Sequence, residues 1–133
     1  MKIPSLLVAA AILIVAVAAP VFSHHSFAAE FDSKKPTTLT GSVTKLEWIN
    51  PHARLFVDVK GPDGKVVNWE VELGAPAILM RNGWSRNYLK AGDTVTINGT
   101  LAKDGTNLAN ATSVTMADGT KVFAGSSQPQ SNP

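Results

Sequence analysis

The chain has 133 residues, 44% hydrophobic and 17% charged, with 12 basic against 10 acidic side chains. That is enough for one domain and too little for a large multi-domain enzyme. A net charge of +2 gives no basic surface of the kind that phosphate binding needs, so nucleic acid is not an expected partner. The absence of cysteine excludes disulfides, thiolate metal sites, a cysteine nucleophile and a lipid anchor on cysteine.

The first 23 residues have the form of an export signal. Lys2 supplies a positive charge, Leu6 to Ala19 is an unbroken apolar run of 14 residues, and Val21 and Ser23 are branched or small where a signal peptidase requires it. Cleavage after Ser23 is expected, because a cut after Ala19 would leave Pro20 at the new terminus. Fourteen residues span only part of a hydrocarbon core of about 30 Å, and no second apolar stretch approaches that length. The expected product is a protein of about 110 residues outside the cytoplasm, with no membrane contact once the signal is gone.

Residues 24–36 read as a polar lead-in. Thr37 to Trp48 is rich in β-branched residues, and its apolar positions change phase near Thr44-Lys45, which predicts a long first strand broken by a β-bulge. Leu55, Val57 and Val59 alternate, Gly61-Pro62-Asp63-Gly64 is a turn, and Val67, Trp69, Val71 and Leu73 alternate again, so a hairpin with these side chains inward is expected. Pro76 and Gly83 bracket a short helix over residues 77–82. Ser85 can cap a further turn over Arg86 to Leu89. Thr94 to Leu101, with Val95, Ile97 and Leu101 inward, and Ala109 to Met116 read as strands, with Lys121 to Phe123 as a short closing one. Residues 125–133 are Gly, Ser, Gln, Pro and Asn with nothing to bury, which predicts a disordered tail. The expected architecture is mainly β: residues 37–124 form a small five- to six-stranded OB-like Greek-key barrel with one short helix between strands 3 and 4. An open antiparallel sheet or sandwich is the competing arrangement.

Cleavage after Ser23 makes His24 the first residue. A histidine at a free terminus chelates a metal through its α-amino nitrogen and its imidazole together, and one further imidazole completes a three-nitrogen brace suited to Cu(II). The remaining histidines are His25 and His52, the latter in Asn50-Pro51-His52, so His24, His25 and His52 are the metal-ligand candidates and copper the candidate cofactor. Two adjacent histidines on a free end can equally be solvated and inert, and His52 can serve as a turn residue. Trp48 and Trp69 fall at core positions of strands. Trp84, beside Arg86, is placed to stack on a ligand. Trp48, Asn50, Arg54, Trp84 and Arg86 are therefore the candidate ligand-binding residues, with a small molecule, glycan or protein as partner. Glu70 and Glu72 alternate with inward apolar residues, which puts them on the solvated face. No catalytic signature is present, and the oligomeric state is not legible.

Four motifs in order carry a resemblance: His24-His25-Ser26-Phe27-Ala28-Ala29-Glu30-Phe31-Asp32; Glu47-Trp48-Ile49-Asn50-Pro51-His52; Gly83-Trp84-Ser85-Arg86 leading to Leu89-Lys90-Ala91-Gly92-Asp93; and Phe123-Ala124-Gly125. Together they resemble domain of unknown function 6152, a family of small exported proteobacterial proteins. The resemblance implies a periplasmic destination and a compact β-rich domain, and it carries no activity to transfer.

Overall fold

The structure, a computed structural model, describes residues 27–125. The expected signal peptide, His24, His25 and the tail beyond Gly125 lie outside the described residues.

A single turn of helix, α1 (Phe27–Glu30), leads into a 17-residue strand, β1 (Phe31–Glu47). There follow β2 (Arg54–Lys60), β3 (Val66–Glu72), α2 (Pro76–Arg81), β4 (Thr94–Ala102), β5 (Leu108–Met116) and β6 (Lys121–Phe123). The fold is mainly β, with one six-stranded sheet in the order β3-β2-β1-β4-β5-β6. All neighbours in that order are antiparallel, and β3 also pairs in parallel with β5, from Glu70 opposite Leu108 to Glu72 opposite Asn110. The pairing circuit β1-β2-β3-β5-β4-β1 therefore returns to its start.

The expected β-bulge is present: Val43 faces Val57 and Lys45 faces Phe56, so one residue of β1 is skipped. The turn before β4 is fastened to this point, since Gly92 N–H donates to the Val43 carbonyl and Val43 N–H to that of Asp93, both at 2.8 Å. The hairpin of β2 and β3 and the helix with proline in its first turn also lie where the sequence places them.

Three expectations require correction. The first strand begins at Phe31, six residues before Thr37, because Phe31 is a buried anchor, 2% exposed, opposite Ala102. A register slip between Phe31 and Pro36 accommodates a proline that has no N–H to donate. On β4, Val95 and Ile97 are buried as expected, whereas Leu101 is half-buried and Ala102 takes the covered position. On β3 and just after it, Val71 and Leu73 are buried and Trp69 packs half-buried against the core as expected, whereas Val67 is 36% exposed.

The core gathers side chains from all five long strands and from α2, among them Leu39, Leu55, Val71, Leu79, Ile97 and Val114. Gly125, expected to open the tail, is buried against Phe123 and the Ala111 carbonyl. Among the described residues, no helix is long and apolar enough to cross a membrane.

Candidate functional site

His52 stands just before β2. Its neighbour Ala53 is fully buried and is tied by backbone hydrogen bonds to Leu73 and Gly74 at the end of β3. That double attachment brings the imidazole against β3, where Nδ1 lies 3.1 Å from Glu72 Oε1. Arg54, at the start of β2, faces Glu72 in register and makes an ion pair with Glu70.

Glu72 departs from the sequence expectation. It was placed on a solvated face, yet its side chain is only 16% exposed, against 36% for His52. Alternation assigns a residue to a face, but it is silent on what lies over that face. The N-terminal segment is fastened to the end of β4: Lys103 N–H donates to the Glu30 carbonyl at 2.9 Å, and Phe31 is in register with Ala102. Desolvation raises the pKa of Glu72 above its ordinary value of 4.5. His52 and Arg54 oppose the rise, and the carboxylates of Glu30 and Glu70 add to it. Five titratable groups from four segments are thus electrostatically joined.

From Glu72 the register continues to Asn110 on β5 and Thr100 on β4. Asn110 is 5% exposed, and the Thr100 hydroxyl is buried without a hydrogen-bond partner among the described residues. Neither residue stands out in sequence, because each draws its surroundings from strand pairing.

The other candidates separate. Trp48 is half-buried against the core, and Asn50 is exposed in the same β1–β2 connection as His52. Trp84 overturns its expectation as a stacking surface. It is 3% exposed, its Nε1–H donates to the Phe123 carbonyl at 2.9 Å, and its ring lies 5.1 Å from that of Tyr88. The glycine turn before it feeds the ring into the core instead of over an opening. Arg86 is exposed and makes no ion pair among the described residues.

The family of unknown function DUF6152 matches residues 10–111, well over half of the chain. The chain belongs to this family. No curated protein and no solved structure gives a significant match. The DUF6152 match takes in Glu30, His52, Arg54, Glu70 and Glu72, and it stops before β6 and the carbonyl that holds Trp84.

Among the described residues, no group of three or more His, Asp or Glu side chains is arranged to hold a metal ion. Within residues 27–125 the cluster therefore offers one imidazole and a carboxylate beside it.

Proposed function

We propose that the chain is an exported, periplasmic binding module, built on an OB-like Greek-key barrel, that takes up a late transition metal such as Cu(II). The ligands are the α-amine and imidazole of His24, with a third nitrogen from His52 or His25. The closed circuit of strand pairs with α2 between β3 and β4 supports the barrel, since a small sheet that pairs back on itself has to curve.

One observation supports the metal reading: the carboxylate of Glu30, on α1, is among the charges that raise the pKa of Glu72, the neighbour of His52. His25 and His24 precede Phe27 by two and three residues, and a chain extends by up to about 3.5 Å per residue. A reach of that order from Phe27 is what the brace would draw on to bring His24 to His52. Imidazole and amine nitrogens without thiolate suit Cu(II) in an oxidising compartment.

The competing reading is an adaptor for a glycan, peptide or protein that uses no metal. It draws on Ile49, 44% exposed beside Asn50 and His52, and has lost Trp84 to the core. One experiment separates the two. Adding a single glycine before His24 leaves every side chain in place while moving the terminal amine out of the chelate ring. Calorimetric titration with Cu(II) is expected to show one-to-one binding by the protein that starts at His24, and binding weakened at least tenfold after the insertion. Equal affinity for both forms rejects the brace and favours the adaptor. Affinity is also expected to fall with pH, because both nitrogens must lose protons to coordinate.

A further inference from the structure

We propose that a second copy of this chain adds to the outer edge of β3 from Val66 to Asn68, pairing antiparallel about a two-fold axis at Val67. The inference is independent of the metal reading.

β5 covers the outer edge of β3 only from Glu70 onward. Glu70 N–H points to that side, donating to the Asn107 carbonyl at 3.0 Å. Backbone groups alternate along a strand, so the N–H and C=O of Val66 and Asn68 point the same way, and no backbone partner meets them among the described residues. Open edges are ordinarily blunted by charge, proline or a bulge. Val66-Val67-Asn68-Trp69 has no charge and no proline, and its register with β2 is unbroken. Val66 is 62% exposed and Val67 36%.

An edge whose out-pointing residues are two apart is complementary to itself. With Val67 of each copy on the axis, Val66 of one exchanges both backbone hydrogen bonds with Asn68 of the other. The side chains agree with this register. Val67 lies opposite Val59 on β2, which packs partly buried against the core, so the core-side face becomes a row of valines, Val59 and Val67 of one copy followed by Val67 and Val59 of the other. On the reverse face each row begins at Lys60, in register with Val66, and ends at Asp58 of the other copy, in register with Asn68. The charged ends of each row are thus of opposite sign. The turn that closes from Gly61 N–H to the Lys65 carbonyl and the start of β5 confine the pairing to these residues. An interface this short buries less than about 1,000 Å², which makes the dimer weak and concentration-dependent.

Two measurements on the protein test the inference. Sedimentation velocity is expected to show monomer in dilute solution and a growing share of dimer as concentration rises to about 1 mM, the range of weak association. Amide hydrogen exchange is expected to slow at Val66 and Asn68 by about twofold once half the chains are paired, and to stay unchanged at Val67 and Trp69, which face β2. Val67→Lys sets like charges side by side on the axis and is expected to abolish the dimer. Met80→Lys, at a residue 61% exposed on α2, is expected to leave it intact. A chain that stays monomeric throughout, a dimer in which the two amides exchange as before, one that survives Val67→Lys, or one lost equally with Met80→Lys overturns the inference. Slowing of the two amides only on addition of an extended peptide of alternating Thr and Val overturns it as well, and gives the edge to a different polypeptide.

Discussion

Gly41 and Gly99 sit where the backbone of a neighbouring strand leaves no room for a side chain. A Cβ at Gly41 would stand 2.1 Å from the Asp58 carbonyl oxygen, and one at Gly99 would stand 1.9 Å from that of Asn110. Backbone cannot give way as a flexible side chain does, so Gly41→Ala and Gly99→Ala are each expected to cost about 1–3 kcal/mol or more. An unchanged urea midpoint for either variant would show that the strands separate easily at that point. Thr100 presents the opposite case, a buried hydroxyl with no partner among the described residues. Thr100→Val replaces it with a methyl group of similar shape and is expected to be neutral or to stabilise by up to ~1 kcal/mol. A loss of stability would mean that the hydroxyl is bonded in solution. Two exposed aspartates set a pH dependence. Asp104 is held below its ordinary 3.8 chiefly by the Thr106 hydroxyl and also by its N–H, and Asp118 chiefly by the Thr120 N–H. The folded state thus favours ionised carboxylates. Their contribution is complete above the unfolded value near 3.8 and is lost as pH falls through the lower folded values. Denaturation midpoints followed from pH 5 downward, for the parent and for Asp104→Ala with Asp118→Ala, are expected to converge in acid. Parallel curves would deny the two carboxylates this role.

At the scale of the element, α1 and the start of β1 form a unit of their own. Phe31 is buried at 2%, with its ring 5.5 Å from that of Phe27 and its backbone opposite Ala102, yet it is not part of the main core cluster. A satellite of this kind can open without the rest of the molecule. Phe31→Ala is expected to free α1 and to speed hydrogen exchange at the Lys103 amide, which donates to the Glu30 carbonyl, by about tenfold or more, equal to ~1.4 kcal/mol of local opening. Amides of β2 and β3 should keep their protection. Equal loss of protection throughout would merge the satellite with the core. The β2–β3 hairpin, by contrast, was legible because alternation and a Pro-Asp-Gly turn act between residues adjacent in sequence. The start at Phe31 was not, since its cause is a partner some 70 residues away.

Considered as a whole, the sheet adds a short parallel contact of β3 with β5 to its antiparallel pairs, and Trp84 is buried in the core beneath it. Trp84→Ala is expected to cost about 3–5 kcal/mol, more than Trp69→Ala, because Trp69 is only half-buried. The reverse order would place Trp69 at the centre. Because one core joins all the long strands, urea transitions followed by tryptophan fluorescence and by far-ultraviolet dichroism are expected to coincide. Separated transitions would show that the sheet survives opening of the core.

The β character, the bulge near Thr44, the hairpin and the short helix followed from sequence alone, because alternation and turn chemistry are local and survive without knowledge of the partner strand. Membership of DUF6152 was legible for a related reason, since its motifs are short and ordered. Tertiary structure decided the rest. It turned Trp84 inward, drew Phe31 into the sheet, and set a mostly covered Glu72 beside His52. Burial and electrostatic environment depend on what lies across a strand or above a face, and that neighbour is chosen by the fold and not by the residue next in the chain.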